Sequence, residues 1–396
     1  MKKKLLFVIP NLGAGGAEKS LVNLLNELDY GLYDVDLFLF SKSGLFYKQV
    51  PSQVNIVEPN TDFKIFQNTL LKSLFLFLMK GKISLLISRF LFFFMNKFVK
   101  NKSYAEQISW KFVKKSMKQI NNTYDVGIAF LEKSSIYFLV DFVESSKKVG
   151  YIHNDYNQLG LDLSFDLPYF NQLDDIVTVS ERCKVVLEEK ISPPNKVKLI
   201  YNISSPKLLN SLADKYVVEN TESKIKLLTI ARLENQKGID IAIEAAKILK
   251  NKKLNFIWEV IGEGSEREKL SKLIKENNVE EYFKLLGLRE NPYPYLKNCN
   301  FYVQSSRFEG KSIAIDEALI LKKLIIVTDF STAADQIKHG RNGIIAEMNA
   351  EALSGEIWKL YNNKILQESI LQNLDHQVFD YEEQLAKFNL LVTADL

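Results

Sequence analysis

The strongest constraint on the fold is a pattern of short apolar strands, each followed by a helix, which occurs twice along the chain. In the first half, strands are predicted at residues 4–9, 34–40, 54–57, 126–130, 149–153 and 176–180. In the second half, they are predicted at residues 225–230, 256–261, 283–286, 301–304, 324–328 and 343–346. Helical periodicity is clearest over 17–28, 238–249 and 265–277. Strands that alternate with helices favour parallel, doubly wound sheets, so we expect an α/β protein.

The chain has 396 residues, which is too long for one ordinary hydrophobic core. Residues 1–203 are predicted to form an N-terminal domain and residues 223–376 a C-terminal domain. The polar stretch 204–222, which contains Pro206, is predicted to be a linker, and residues 377–396 a helix that returns to the N-terminal domain. Ligands of such sheets bind at the carboxyl ends of the strands, so the expected site is the cleft between the domains.

Residues 64–118 form a predicted insert of unusual charge. They hold eleven lysines and one arginine against the single acid Glu106, a formal charge of +11 in a chain of net charge +4. The insert is also rich in Phe and Leu, but charges interrupt its apolar runs before a membrane-spanning length. This composition is typical of amphipathic helices on an anionic membrane surface. The alternative is a solvated lysine face over a Phe-rich core, and nucleic-acid binding is not expected because no recognition motif accompanies the charge.

The cysteines and the N-terminal residues indicate a cytoplasmic protein. Cys183 and Cys299 are far apart and lack metal-ligand spacing, which fits a reducing compartment and excludes a disulfide framework. The apolar run after the first lysines is only five residues long before Pro10, which is too short for a signal peptide. With the basic insert, the predicted location is the cytoplasm, peripheral on the inner face of the cell membrane.

No metal site is expected from the sequence. The three histidines, His153, His339 and His376, are too far apart for a local metal motif. The pair Asp34 and Asp36 has the Asp-x-Asp form of metal-dependent enzymes, but it opens an apolar strand without a partner acid.

The stretch from Glu309 to Glu317 carries the strongest chemical signal. It places glycine, lysine and serine where a loop enters an apolar helix, with one carboxylate before the turn and one inside the helix. The N-terminus of a helix suits a phosphate because it offers unpaired N–H groups and a partial positive charge. Carboxylates would repel phosphates, so the two glutamates are expected to face sugar hydroxyls. The stretch therefore predicts a site for a nucleotide sugar.

Two cations are predicted at the same end of the C-terminal sheet. Arg232 and Lys237 follow the strand at 225–230 in a strand-to-helix loop. Arginine can bind phosphate oxygens through two parallel hydrogen bonds, and lysine adds a point charge. Two cations together with helix N–H groups can stabilise a departing diphosphate without a metal.

These residues carry a family resemblance that extends over nearly the whole chain and is strongest over 225–347. The chain resembles the glycosyltransferases of family 4, which have the GT-B fold of two facing Rossmann-like domains. The matching pieces are Gly15-Gly16-Ala17-Glu18, Tyr151-Ile152-His153-Asn154-Asp155, Val179-Ser180, Tyr201-Asn202, Arg232 with Lys237-Gly238, Gly262-Glu263-Gly264 and the stretch Glu309 to Glu317. Many members have Pro-Ser before the first glutamate, whereas this chain has Ser305 and Ser306 there and Lys311 after it, so the donor is not carried over.

The resemblance implies a role for each predicted site residue. Glu309 would contact the hydroxyls of the donor sugar and Glu317 those of the ribose, while Arg232 and Lys237 would bind the diphosphate. His153 would line the reaction centre. The remaining predicted contacts with substrate come from backbone amides or from close approach of a loop, at Gly15, Gly16, Gly262, Gly310, Lys311 and Ser312.

The predicted function is transfer of a hexosyl or N-acetylhexosaminyl group from a UDP-sugar, without a cofactor. The resemblance implies that the transfer is retaining and needs no divalent metal. The acceptor is expected to be a glycan or lipid-linked intermediate of cell-surface polysaccharide synthesis, such as capsule. A GT-B epimerase or phosphorylase would share this fold. A non-catalytic partner subunit should have lost members of the cation and carboxylate set, but all four are present.

Overall fold

The computed structural model describes residues 2–218, 224–376 and 381–394. Within these ranges it contains two sheets whose strands all run parallel. The predicted α/β class and the two doubly wound domains are confirmed. Residues 219–222 of the predicted linker, residue 223 of the predicted C-terminal domain, and residues 377–380 and 395–396 of the predicted C-terminal segment lie outside the described residues.

The N-terminal sheet has the strand order β3-β2-β1-β4-β5-β6-β7. Its strands are β1 (Lys3–Ile9), β2 (Tyr33–Leu39), β3 (Asn55–Val57), β4 (Thr123–Ala129), β5 (Glu144–Ile152), β6 (Asp175–Thr178) and β7 (Val197–Leu199). The helices are α1 (Gly16–Glu27), α2 (Thr61–Phe66), α3 (Leu70–Met79), α4 (Ile83–Phe98), α5 (Lys102–Val113), α6 (Ser134–Phe142), α7 (Leu163–Phe170), α8 (Glu181–Glu188) and α9 (Pro206–Ala213).

Alternate residues of β1 pack into two separate cores. Leu5, Phe7 and Ile9 belong to one cluster, whereas Leu6 and Val8 belong to another. Because side chains alternate across a strand, the sheet is covered on both faces, as a doubly wound fold requires.

The C-terminal sheet has the order β10-β9-β8-β11-β12-β13. Its strands are β8 (Ile225–Ile230), β9 (Phe256–Ile261), β10 (Phe283–Gly287), β11 (Phe301–Gln304), β12 (Leu324–Thr328) and β13 (Ile344–Ala346). The helices are α10 (Ile239–Asn251), α11 (Arg267–Glu276), α12 (Tyr293–Asn298), α13 (Ile313–Ile320), α14 (Ala333–Gln336), α15 (Ala350–Asn362), α16 (Lys364–Asp375) and α17 (Tyr381–Thr393).

One strand was not predicted, and one other differs from its predicted limits by more than three residues. β7 was not predicted, because three residues with one exposed lysine between two apolar ones carry little periodic signal. β5 begins at Glu144, five residues before its predicted start, and its polar first half pairs with β4. Backbone pairing with a neighbour therefore extends this strand beyond its apolar residues.

The segments beyond the two sheets pack onto the domains. Within the polar stretch 204–222, α9 places Leu209 and Ala213 in the core of the C-terminal domain. α17 packs on the N-terminal domain, where Phe388 stacks on Phe7 with ring centroids 6.1 Å apart. In the ranges that the structure describes, no helix is long and apolar enough to cross a membrane.

Candidate active site

The carboxyl ends of both sheets face one cleft of about 990 Å³. In each sheet, strand order reverses at the centre, between β1 and β4 in one and between β8 and β11 in the other. Ligands of open α/β sheets bind at such points because the flanking loops diverge there. The cleft is lined by all the predicted site residues, namely Gly15, Gly16, His153, Arg232, Lys237, Gly262, Glu309, Gly310, Lys311, Ser312 and Glu317.

Glu309 and Lys237 contact each other directly. The Lys237 ammonium lies 2.6 Å from Oε1 and 2.9 Å from Oε2 of Glu309. Oε1 also accepts hydrogen bonds from Gln304 Nε2 at 2.9 Å and Ser306 Oγ at 2.6 Å. Since the Glu309 side chain is 7% exposed, these donors supply the compensation that a buried carboxylate needs. The predicted diphosphate cation and the predicted sugar carboxylate therefore form one unit.

Arg232 is held loosely by comparison. Its side chain is 43% exposed, and Nη1 lies 3.3 Å from Glu234 Oε1 in a loop at the cleft wall. Exposed ion pairs of this kind contribute little stability, so the guanidinium is free to turn towards a ligand at small cost.

In the loop before α13, one of the three predicted backbone amides already has a hydrogen-bond partner within the protein. Gly310 and Lys311 line the cleft, but the Ser312 amide donates a hydrogen bond to Gln336 Oε1 at 2.8 Å. Gln336 also donates to the Ser312 carbonyl at 2.8 Å and to Asp316 Oδ1 at 2.7 Å. The Ser312 amide is already engaged, contrary to the expectation that all three amides are open to phosphate.

Two predicted glycines are required by close approach of backbone. A Cβ atom on Gly310 would lie 1.6 Å from the carbonyl oxygen of His153, across the cleft. A Cβ atom on Gly262 would lie 1.8 Å from the carbonyl oxygen of Ala231, within the C-terminal domain. A side chain at position 310 would therefore push the two domains apart.

The first loop approaches the same helix from the N-terminal side. Gly15 immediately precedes α1 and Gly16 is its first residue. A Cβ atom on Gly16 would lie 4.0 Å from the Ile313 side chain of α13. This loop thus closes one wall of the cleft against the start of α13.

His153 presents a neutral imidazole to the cleft. Burial lowers the pKa of His153 to about 4, against the opposing charge of Glu132 and a hydrogen bond to the Phe130 backbone. Among the described residues, Nε2 has no hydrogen-bond partner although it is buried. With its backbone N–H donating to Glu132 Oε2 at 3.0 Å, His153 is fixed in place, and its free ring nitrogen can accept a hydrogen bond from a ligand.

Glu317 makes two contacts that the sequence did not reveal. The Tyr293 hydroxyl donates to Oε1 at 2.9 Å, and Lys19 Nζ lies 2.5 Å from the same oxygen. Lys19 is on α1, so this ion pair crosses the cleft. A lysine in an amphipathic helix and a tyrosine between two prolines carry no recognisable signal.

Two further carboxylates lie on the N-terminal wall and were given no role. Glu132, in the loop after β4, accepts a hydrogen bond from Asn154 Nδ2 at 2.7 Å. Burial raises the pKa of Glu18 in the first turn of α1, although its own backbone hydrogen bond and the Arg232 charge oppose this shift. The rule that ligands bind after strand ends could have indicated Glu132.

The Asp-x-Asp pair lies away from the cleft. Asp36, in the middle of β2, accepts hydrogen bonds from Asn55 Nδ2 at 2.8 Å and from the Tyr124 hydroxyl at 2.7 Å. These contacts link β2 to β3 and to β4 and account for the residue structurally. Throughout residues 2–218, 224–376 and 381–394, no group of three His, Cys, Asp or Glu side chains could hold a metal ion.

Comparison with known proteins agrees with this geometry. Residues 213–376 match the family model for group 1 glycosyl transferases. An uncharacterized glycosyltransferase of Methanocaldococcus jannaschii is 27% identical over 56% of this chain and 59% of its own length, so the chain spans less than two thirds of that relative. The N-acetylgalactosamine-N,N'-diacetylbacillosaminyl-diphospho-undecaprenol 4-alpha-N-acetylgalactosaminyltransferase of Campylobacter jejuni is 27% identical over 88% of this chain and 87% of its own.

A solved structure has the same overall fold. The S. aureus protein TarM, in complex with Fondaparinux, alpha-GlcNAc-glycerol and UDP, superposes with a TM-score of 0.69. The match covers 99% of this chain and 100% of TarM at 15% sequence identity. The chain therefore has the GT-B fold, and its residues 213–376 match the group 1 glycosyl transferases.

Proposed function

We propose that the protein is a retaining glycosyltransferase that moves a hexosyl or N-acetylhexosaminyl group from UDP to a glycan or lipid-linked acceptor. The observation that carries this proposal is the direct contact of Lys237 with Glu309 at the N-terminus of α13. Lys237 is a cation that can bind phosphate, and Glu309 is a carboxylate that can bind hydroxyl groups. Their contact therefore fits the point of a nucleotide sugar where the sugar is joined to the diphosphate. The UDP and the glycosides in the TarM complex support a donor of this class.

The donor lies on the C-terminal wall of the cleft in this proposal. Arg232 turns from Glu234 towards the diphosphate and stabilises the charge that develops as the sugar departs. Glu309 orients the sugar hydroxyls, and Glu317 receives the ribose hydroxyls. The amides of Gly310 and Lys311 add to the positive potential at the start of α13.

The acceptor reaches the sugar from the N-terminal wall. The acceptor hydroxyl lies beside His153, whose buried Nε2 is aimed at no described partner and accepts a hydrogen bond from the substrate. The bond between the sugar and the diphosphate oxygen breaks as the bond to the acceptor oxygen forms, through a state with oxocarbenium character and without an enzymic nucleophile. The proton of the acceptor hydroxyl passes to the departing diphosphate. No metal or cofactor takes part in this scheme.

The basic insert supports a role at the inner face of the cell membrane in capsule or other cell-surface polysaccharide synthesis. Helices α3 and α4 form a hairpin that exposes apolar side chains to solvent. Leu71 is 81% exposed, Phe75 61% and Phe98 65%. Lys72 and Lys80 are also exposed. Apolar side chains interleaved with lysines suit an anionic lipid surface, where a lipid-linked acceptor would be found.

Vesicle flotation tests the membrane part of the proposal. The wild-type chain is expected to float with vesicles that contain anionic lipid and to stay behind with neutral vesicles. Substituting Phe75→Ser with Lys72→Gln and Lys80→Gln weakens both the apolar and the electrostatic attraction and should reduce flotation. A control pair, Lys252→Gln with Lys272→Gln on the exposed surface of the C-terminal domain, should float normally. Equal flotation of all three proteins, or of none, would contradict membrane docking.

A donor screen tests the reaction itself. The chain is incubated with a panel of nucleotide sugars, with and without bacterial lipid extract, and released nucleoside diphosphate is measured. We expect release from a UDP-sugar that depends on the extract and is absent in the Arg232→Ala variant. Conversion of the donor without an acceptor would instead indicate an epimerase. A dependence on inorganic phosphate would indicate a phosphorylase. The absence of any turnover would indicate a non-catalytic partner subunit.

A further inference from the structure

The carboxylate of Glu317 is tied to the opposite domain. Lys19 on α1 places Nζ 2.5 Å from Glu317 Oε1 on α13, and the two side chains are 14% and 1% exposed. α1 packs on the N-terminal sheet, whereas α13 belongs to the core of the C-terminal domain. The ion pair therefore spans the cleft at a buried position, where a charge contact is far stronger than at the surface.

Aromatic rings fix the position of the ammonium. Lys19 Nζ lies 4.6 Å from the centroid of the Tyr293 ring and 5.9 Å from that of the Phe46 ring. The attraction of a cation for an aromatic face increases when both are removed from water. Because Tyr293 also donates its hydroxyl to Glu317 Oε1 at 2.9 Å, one cluster holds both the cation and the carboxylate.

The two contacts leave part of the carboxylate uncommitted. Lys19 is paired with Oε1 and Tyr293 donates a hydrogen bond to the same oxygen, whereas Oε2 takes part in neither contact. A ribose presents two neighbouring hydroxyl groups that can donate hydrogen bonds. In Glu317, the contacts to Oε1 fix the orientation of the carboxylate and compensate its charge. Oε2 can then accept hydrogen bonds from such a diol.

We propose that Lys19 is a positioning residue for the ribose of the donor. It acts through Glu317, which it holds in one orientation and in charge balance, and this inference rests on the proposed function of Glu317. Because Lys19 comes from the N-terminal domain, recognition of the ribose diol requires both domains. Ribose binding and closure of the cleft then favour each other, since coupling between two events is reciprocal.

The test compares two ligands that differ only in the diol. Binding of UDP and of 2′,3′-dideoxy-UDP to the full chain is measured by calorimetry for wild type, Lys19→Met, Lys19→Arg and Lys42→Met. Lys42 is the control because it forms an ion pair of the same length, 2.5 Å, with the exposed Glu58. Thermal melting of each protein shows whether it is folded.

Wild type should bind UDP more tightly than the dideoxy compound. In Lys19→Met this preference should fall about 10-fold, the scale of a lost charge-assisted contact, while dideoxy-UDP binds as before. Lys19→Arg should keep most of the preference and Lys42→Met all of it. Glu317→Gln removes the carboxylate through which Lys19 acts. Adding Lys19→Met to Glu317→Gln should therefore not change the preference for UDP over dideoxy-UDP any further.

The outcomes separate this inference from the proposed function. Equal weakening of both ligands in Lys19→Met would overturn the inference, because a structural role or a phosphate contact would act on both. A wild-type chain without preference for the diol would also overturn it while leaving the nucleotide site intact. A wild-type chain that binds neither ligand would remove the UDP donor and this inference together.

Discussion

Replacing Lys237 with methionine should destabilise the C-terminal domain as well as impair catalysis. The substitution keeps the aliphatic stem of the side chain but leaves Glu309, which is 7% exposed, without the ammonium that contacts both its oxygens. Breaking a buried ion pair by removing one partner costs about 3–5 kcal/mol. Since Gln304 and Ser306 still donate to Oε1, we expect a loss near the lower bound, about 3 kcal/mol.

A second substitution should recover much of this loss. Glu309→Gln removes the buried charge, and its amide oxygen can still accept the hydrogen bonds of Gln304 and Ser306. We therefore expect the double variant Lys237→Met with Glu309→Gln to be more stable than Lys237→Met alone by about 1–2 kcal/mol. The double variant should remain inactive, because both groups that the proposed mechanism assigns to the donor are lost.

Urea unfolding followed by tryptophan fluorescence measures these differences, because Trp258 is fully buried in the C-terminal core. Lys297→Met provides the control, since Lys297 pairs with the exposed Asp214 and should change stability by less than about 0.5 kcal/mol. The reasoning is refuted if Lys237→Met loses less than about 1 kcal/mol, or if the second substitution lowers its stability further.

Three other variants test separate features of the site. Arg232→Ala should lower turnover by on the order of 10²-fold or more, because a group that stabilises the charge on the departing diphosphate is lost. The melting temperature should not change, because the Arg232 side chain is exposed. Near wild-type steady-state turnover would exclude Arg232 from the mechanism. Because burial lowers the pKa of His153 to about 4, the unfolded chain binds a proton that the folded chain does not, so stability present above pH 6.5 should be lost as the pH falls towards 4. The free energy of unfolding that His153 costs the protein on this pH change should approach about 3 kcal/mol. In urea unfolding, the free energy of unfolding of His153→Phe should therefore depend less on pH than that of wild type. An equal pH dependence of the two proteins would contradict this prediction. Gly310→Ala would place a Cβ atom 1.6 Å from the His153 carbonyl, so transfer to the acceptor should fall while circular dichroism stays unchanged, and full activity would show that the domains need not approach so closely.

The local pattern of the sequence was sufficient for the architecture. Short apolar runs such as Phe256–Ile261 are buried on both sides of a parallel sheet, and their spacing by helices leaves few other topologies. The stretch from Glu309 to Glu317 combined a helix start with two carboxylates, a local signal that needed no tertiary information. The limits of β5 and the short strand β7 were missed because pairing with a neighbouring strand, rather than hydrophobicity, determines them.

The tertiary structure alone decided how the charges are paired. Glu309 could be recognised from its neighbours in the chain, but its partner Lys237 lies 72 residues away and was expected to bind phosphate directly. The pairing of Lys19 with Glu317 joins residues of the two domains that are far apart in sequence, and Gln336 on α14 accepts the hydrogen bond of the Ser312 amide. Such contacts depend on how two domains face each other, and a helix lysine has the same sequence signature whether it meets water or a buried carboxylate.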